Sequence, residues 1–539
     1  MSDRTNSSTR RDAALRFLLA RIDYERTQSM PRSEEAFKLD RMRELLGRMG
    51  NPQEGMPIVH VAGTKGKGST SAMIAAVLSA AGYRTGLFTS PHLDRVEERI
   101  AIDGQPCSAD ELADLIERIR PVVEAMDCGS SRLPVASGQC EPPGPNPQSP
   151  IPTPTAEPGL TYFEIVTAMA FDHFRRRGVD AAVLEVGLGG RLDSTNVCSP
   201  AVTIITSISF DHTKQLGDTL AAIATEKAGI IKPGVPVISG VQSDEPRDVI
   251  RRIARQNGCR LVELGVDFDF VYHPPHRLEQ AASSAKFDFQ YLHSTCTHEE
   301  RAETSRGLTA PGEFRGHSDE NSRGPTARGE PANTHRELLA PGYCDVALSL
   351  LGRHQAANAA VALAAIEELR RSNWTIPEIA IRRGLAEVAP PARVEVVARR
   401  PTVVLDAAHN VASIAALVEV LEESFSANRR LLIFATTQEK DQRGMLQQLL
   451  GHFNHVIFTR YSNNPRSVSP EELLGLAKSI GWGGSSTATP TIEIVATPAE
   501  AWDAVRRMAT PDDLICITGS FFLASEMRTQ IAERPFSPQ

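Results

Sequence analysis

Short β-branched runs recur along the chain, each followed by a segment whose apolar positions return every three to four residues. IVHVA (58–62), TGLFT (85–89), AAVLEV (181–186), VTIITSI (202–208) and VPVIS (235–239) are almost wholly apolar, as strands buried on both faces are. Their alternation with helical segments predicts a mostly parallel sheet covered by helices. RHQAANAAVALAAIEELRR (353–371) predicts an Ala-rich helix, 286–291 and 344–350 a β-hairpin, and the first 26 residues an amphipathic helix. After Pro390 and Pro391 the pattern restarts with TVVLDAA, LLIFATT, HVIFTR, TIEIVA and DLICITG. The chain therefore reads as α/β, with a larger domain over 1–391 and a smaller Rossmann-like α/β domain over 392–539.

Two segments break this rhythm. The first, 127–159, holds nine prolines from Leu133 onward, and the second, 293–341, is rich in Arg, Glu, Ser, Gly and Thr; both read as disordered inserts. His293, Cys296 and His298 in HSTCTH lack a fourth ligand nearby, so the second insert reads as an unstructured tract. Composition places the 539-residue chain among soluble globular proteins, with 41% hydrophobic and 23% charged residues. A formal net charge of −8 argues against non-specific nucleic-acid binding, which needs a basic surface. The eight cysteines are scattered without a CxxC pair, which fits free thiols in a reducing cytosol. No apolar run approaches the roughly 18 residues that span a bilayer. The expected location is cytoplasmic.

The chemistry gathers where predicted strands end. HVAGTKGKGSTSAM (60–73) reads as strand, glycine loop and helix. Gly63, Gly66 and Gly68 let backbone N–H groups approach phosphate oxygens, Lys67 adds a cation, and a helix beginning near Ser69 adds its positive end. The spacing departs from the common phosphate loop, because Val61 stands at the first glycine position and Gly68 separates Lys67 from Ser69. A phosphate loop and an ordinary tight turn are the two readings. Ser90, in TSPHLDRVEERI, is either a magnesium ligand at a strand's carboxyl end or a turn serine before Pro91. Glu185 closes a very apolar strand, where a carboxylate is costly unless paired or metal-bound. Gly187, Gly189 and Gly190 follow it, and Asp193 is a ligand-facing or a turn residue.

His212 follows another strand end as a candidate metal ligand, and Asp218 is placed to cap the helix that leads to Lys227. Asn358 on the Ala-rich helix, Arg393 after the prolines, and Asp406 and His409 in DAAHN form a further group. Arg393 is placed to reach a polyphosphate across a cleft, and Asp406 and His409 to hold ribose or base.

Together these stretches resemble the folylpolyglutamate synthase / dihydrofolate synthase family of Mur-type amide ligases. GTKGKGS, TSPHL…ERI, TYFE (161–164), LEVGLGGRLDSTN, FDH…LG…EKAGI, LGRHQ…N, DAAHN, EKD (439–441) and GSFFL (519–523) follow the family's order between about 40 and 535, the inserts apart. The resemblance implies a P-loop ATPase domain followed by a glutamate ligase domain, with ATP and Mg2+ as cofactors. It places Gly66, Lys67, Gly68 and Ser69 on the ATP phosphates, with Asn358, Arg393, Asp406 and His409 completing the nucleotide site. Ser90, Glu185 and His212 would hold Mg2+, and Asp193, Thr161, Tyr162 and Phe163 would face the pterin-bearing substrate. Lys227 matches a lysine that the family carbamylates, which would turn a cation into a carboxylate-like metal ligand. Lys67, His212 and Lys227 are thus the implied catalytic set.

The implied reaction adds L-glutamate to folates, and to 7,8-dihydropteroate, through an acyl phosphate. A monomer without nucleic-acid or membrane partners is expected. Two residues depart from the family pattern: Lys65 replaces the usual Asn, and Ala407 the usual Gly before Ala-His-Asn. Residues 20–40 match the bacterial bifunctional pattern poorly. The rival readings are a Mur-type cell-wall amino-acid ligase, disfavoured by GLGGRLDSTN and EKAGI together, and a nucleotide-gated binding protein without ligase activity.

Overall fold

The computed structural model describes residues 2–23, 39–130, 159–211, 213–280, 283–292, 340–462, 464–482 and 490–536. Its first sheet contains β1 (Ile58–Ala62), β2 (Thr85–Phe88), β3 (Ile100–Ile102), β4 (Gln105–Pro106), β5 (Ala181–Glu185), β6 (Val202–Ile205), β7 (Val237–Ser239) and β8 (Leu261–Glu263). The strand order is β4-β3-β2-β5-β1-β6-β7-β8, parallel except at β3 and β4. Residues alternate between faces, and both faces are covered. Val59, Val61, Ala181 and Val183 join the core under helices Lys67–Ala80 and Arg353–Arg371, while Ile58, Ala182 and Leu184 join the core under Ala109–Ser130 and Tyr162–Arg176. The chain leaves β1 for β2 but pairs β1 with β5 and β6, so the carboxyl ends of β2, β5, β1 and β6 lie side by side at a switch in winding direction. Open α/β sheets leave their ligand crevice at such a switch.

The anticipated hairpin is present and larger. β9 (Phe268–His273), β10 (Ala285–Tyr291) and β11 (Ala340–Leu348) form an antiparallel sheet in the order β11-β10-β9. The third sheet holds β12 (Glu395–Ala398), β13 (Thr402–Leu405), β14 (Arg430–Phe434), β15 (His455–Phe458), β16 (Thr491–Ile494) and β17 (Leu514–Thr518), ordered β12-β13-β17-β14-β15-β16 with only β12 antiparallel. The five strands expected after the prolines are β13 to β17; β12 was not anticipated.

The insert limits need correction. Residues 127–130 continue the helix Ala109–Ser130, and Ala340 and Pro341 open β11. Residues 131–158 and 293–339 lie outside the described residues. The first helix, Ser2–Leu19, buries Ala14 and Leu18 and ties Arg10 to Asp114 and Glu117.

One strap joins the antiparallel sheet to the third sheet's layer. His276 Nδ1 donates to the Glu423 carbonyl (3.1 Å), Leu278 N to the Ser424 carbonyl (3.0 Å) and Ser426 N to Glu279 Oε2 (3.2 Å). The Arg399 guanidinium donates to the Leu278 carbonyl.

Candidate functional site

The phosphate-loop reading has a geometric basis at two glycines. Gly63 (φ +150°) and Gly66 (φ +84°) adopt backbone that side chains disfavour. A Cβ on Gly63 would lie 1.9 Å from Thr206 Oγ1, and one on Gly66 2.2 Å from Asn358 Oδ1. The loop is pinned to the end of β6: Thr64 N donates to the Ser207 carbonyl (2.7 Å), Lys65 N to Ser207 Oγ (3.0 Å), and Thr206 Oγ1 to the Lys65 carbonyl (2.6 Å). Lys67 opens the next helix, and its ammonium rests on the Gly63 carbonyl at 3.1 Å.

Glu185 stands beside this helix start, 5% exposed, with Gly68 bare against its carboxylate. Parallel pairing sets it opposite Val61, and Oε2 accepts from Ser90 N at 3.1 Å. Its Oε1 receives no hydrogen bond from the described residues. Burial pushes the Glu185 pKa up; Lys67, the Ser90 amide, Arg393 and Arg99 pull the other way. Ser90 and Glu185 are therefore brought together as the sequence suggested, while His212 lies outside the described residues.

Lys227 sits near the end of Leu220–Ala228, a helix capped by Thr219 Oγ1 on Ala222 N; Thr219, not Asp218, is the cap. The lysine is 5% exposed. Burial, reinforced by the Lys67 charge, lowers its pKa to about 7 against the opposing pull of Asp211, Asp193 and Glu226. Much of its amine is thus neutral near neutral pH and nucleophilic. Its helix is held tightly against the glycine loop. A Cβ on Gly190 would meet the Glu226 and Lys227 carbonyls at 2.8 and 2.9 Å, Arg191 N donates to Glu226 O (2.8 Å), and Arg191 Nε pairs with Glu226 Oε1 (3.0 Å).

Across the glycine loop, Thr161 caps Tyr162–Arg176 in a reciprocal capping box with Glu164. Thr161 and Phe163 line the main cavity, with Phe163 packed on bare Gly187 and on Phe88. Tyr162 instead belongs to the core, beneath the Arg99 guanidinium at 5.3 Å. Asp193 touches the cavity, yet both carboxylate oxygens serve its own loop: Oδ2 accepts from Gly187 N and Leu188 N, Oδ1 from Thr195 N and Oγ1.

The C-terminal layer closes the other side. Asp406 directly follows β13, buried, with Oδ2 accepting from Val394 N (2.8 Å) and Oδ1 from Ala408 N (2.7 Å); burial pushes its pKa up. His409 Nδ1 donates to the Ala407 carbonyl at 2.9 Å, leaving Nε2 as an acceptor. Burial lowers its pKa to about 4. Its ring leans on Phe521, over whose face the Arg393 guanidinium sits at 5.0 Å. Asn358 donates to Gln355 Oε1 one turn away.

These groups line one cavity of about 1170 Å³ that also includes Lys65, Arg41, Asp211, Lys440 and Ser520. Ser69, Ser90, Glu185, Asp193, Arg393, Asp406 and His409 all line it, as does Glu226, whereas its neighbour Lys227 does not. Sequence reasoning singled out no role for Thr206 and Ser207, although the strand-end rule that found Ser90 and Glu185 applies to both. Lys440 reaches Asp211 across the cleft at 3.9 Å; both were quoted in motifs without a role. Arg99, whose Nε donates to His92 Nδ1 at 2.7 Å, carried no signal, because nothing in ERI distinguishes a buried arginine from a solvated one.

The Mur ligase middle domain matches residues 155–305, and the Mur ligase glutamate ligase domain matches 392–521. The chain is 32% identical over 495 residues to a dihydrofolate synthase/folylpolyglutamate synthase of Bacillus subtilis, covering 92% of this chain and 94% of that one. It resembles the structure of Mycobacterium tuberculosis folylpolyglutamate synthase complexed with ADP, with TM-score 0.74 and 28% identity over 99% of this chain and 100% of that one. It also resembles E. coli FolC in complex with DHPP and ADP, with TM-score 0.67 and 26% identity over 92% and 94% of the two chains. The chain belongs to the folylpolyglutamate synthase/dihydrofolate synthase family of Mur ligases.

Proposed function

We propose that this chain is an ATP-dependent ligase that joins L-glutamate by an amide bond to folates, and to 7,8-dihydropteroate, in the cytoplasm. Residues 1–391 form its ATP-binding domain and 392–539 its glutamate ligase domain. The observation that carries the reading is the buried Glu185 carboxylate beside the bare-backbone loop Gly63–Gly68, at one end of a cavity whose other wall is Phe163 and the Gly187–Gly190 loop. The relatives supply the substrate class: the Mycobacterium tuberculosis enzyme is complexed with ADP, and E. coli FolC with DHPP and ADP. No helix of the described residues is long and apolar enough to cross a membrane.

A carboxylate resists attack by an amine, so the acceptor's acid must first be activated. The glycine loop and the helix beginning at Lys67 receive the ATP phosphates, and the Lys67 ammonium offsets charge on the phosphoryl group as it moves to the acceptor carboxylate. Glutamate's amine then attacks the acyl phosphate and phosphate leaves. Asn358 from the first domain and Arg393, Asp406 and His409 from the second hold the nucleoside and polyphosphate, and closure of the two layers keeps water from the acyl phosphate.

The site fits a magnesium ion: among the described residues Glu185 Oε1 accepts no hydrogen bond, and the hydroxyl-bearing Ser69 and Ser90 line the same cavity. Ser90, Glu185, His212 and the carbamate of Lys227 would hold it, and when bound it neutralises charge on the phosphate oxygens. Carbamylation joins the neutral Lys227 amine to the carbon of CO2 and releases one proton. It supplies an oxygen donor where, among the described residues, no three His, Cys, Asp or Glu side chains cluster for a metal.

ADP release with glutamate and either dihydropteroate or tetrahydrofolate, followed by product mass, tests the reading. The expected result is release that needs both glutamate and acceptor, with a product heavier by one glutamyl unit. Hydrolysis indifferent to both substrates overturns it and favours a nucleotide-gated binding protein.

A further inference from the structure

His60 lies in the middle of β1, wholly buried, on the face covered by the turn Ser194–Val197. Its Nε2 is 2.8 Å from Thr195 Oγ1, and its Nδ1 is 3.6 Å from Cys198 Sγ. The direction of every proton in this chain follows from its far end. Asp193 accepts four hydrogen bonds, from Thr195 N (3.0 Å), Thr195 Oγ1 (2.6 Å), Gly187 N (3.0 Å) and Leu188 N (2.9 Å), which leaves no position for a proton of its own. Thr195 Oγ1 therefore donates to Asp193 and accepts from His60 Nε2–H, and His60 Nδ1 accepts the Cys198 thiol proton. Burial lowers the His60 pKa to about 3, which keeps the ring neutral in this tautomer.

We infer that His60 is a positioning residue: through Thr195 it fixes Asp193, and through Asp193 the Gly187–Gly190 wall that receives the acceptor. Packing alone gives no reason for an imidazole here, since Ile58, Ala182 and Leu184 on the same face show that an aliphatic side chain fits the environment. The imidazole adds orientation of a hydroxyl, and that hydroxyl adds orientation of the carboxylate that shapes the loop. The inference rests on the proposed acceptor site and names what holds that site in shape.

Thr195→Val keeps the shape and removes the relay, whereas Thr195→Ser keeps both. The expected result for Thr195→Val is an acceptor KM, and a directly titrated acceptor Kd, raised about tenfold, with the ATP KM within about twofold. Thr195→Ser should stay near wild type in all three. A purely structural role would lower the thermal midpoint of Thr195→Val while leaving acceptor affinity unchanged, or raise both KM values in proportion; either outcome overturns the inference. If Thr195→Val does not fold, His60→Gln, which retains an Nε2–H donor, is compared with His60→Leu by the same criteria. A wild type inert with both acceptors removes the ligase reading and this inference with it. An active wild type with an unmoved acceptor KM in Thr195→Val removes the inference alone.

Discussion

At 5% exposure, Glu185 holds a carboxylate where water has little access, and burial pushes its pKa up. Stability alone would favour a neutral group there. Glu185→Gln should therefore lower turnover at least about 100-fold with either acceptor while the thermal midpoint holds or rises; turnover and differential scanning fluorimetry check both halves. Retained turnover would remove Glu185 from the phosphoryl-transfer site. Gly66 offers the complementary test. A methyl there meets Asn358 Oδ1 at 2.2 Å on a backbone of φ +84°. Gly66→Ala should weaken ADP binding about tenfold or more in calorimetric titration with the fold retained, because the left-handed conformation alone costs about 1–2 kcal/mol for a residue bearing Cβ.

Helix Leu220–Ala228 and the glycine loop after β5 act as one element, since Gly190 lets the loop lie directly against the helix carbonyls. Gly190→Ala should push the helix outward and lower the fraction of Lys227 carrying CO2. Intact-protein mass under bicarbonate reads this directly, and an unchanged carbamylated fraction would mean that the contact does not position Lys227. At this scale much of the molecule was legible in the sequence. IVHVA coincides with β1, and AAVLEV and VTIITSI give β5 and β6 within a few residues, because a strand buried on both faces needs an unbroken apolar run. β3, β4, β8, β9 and β12 were not anticipated: all lie at or near sheet edges, where solvent on one side relaxes the apolar requirement, and all but the six-residue β9 are two to four residues long. The site was legible wherever a polar residue ended such a run, as at Ser90 and Glu185. It was illegible where a residue acts through others. Asp193 looked ligand-facing or turn-like, and only the hydrogen bonds reveal that both its oxygens hold the loop. Asp218 and Thr219 were equally plausible caps by type, and the backbone direction at the helix start selected Thr219.

Across the whole molecule, His60 is wholly buried and His409 part-buried, and both are neutral, with pKa values lowered to about 3 and 4. In the unfolded chain each binds a proton below about pH 6.5, so the unfolded state takes up more protons than the folded one. The stability they allow is complete above that pH and is lost as pH falls toward their folded values. For His60 the loss reaches about 2 kcal/mol at pH 5. The thermal midpoint should fall steadily from pH 7 to pH 5, and His60→Gln should flatten that fall by about one proton; an unaltered slope would mean that His60 is not neutral in the fold. The strap from His276 to Glu279 has a different consequence. It joins the layers by backbone contacts at Ser424 and Ser426, whereas Lys440 and Asp211 meet across the cleft mouth only at 3.9 Å. A bound nucleotide released by parting of the layers should therefore leave at the lysine's edge while the strap stays joined; a disulfide tying residues 211 and 440 should slow ADP release, and an unchanged release rate would sink this expectation.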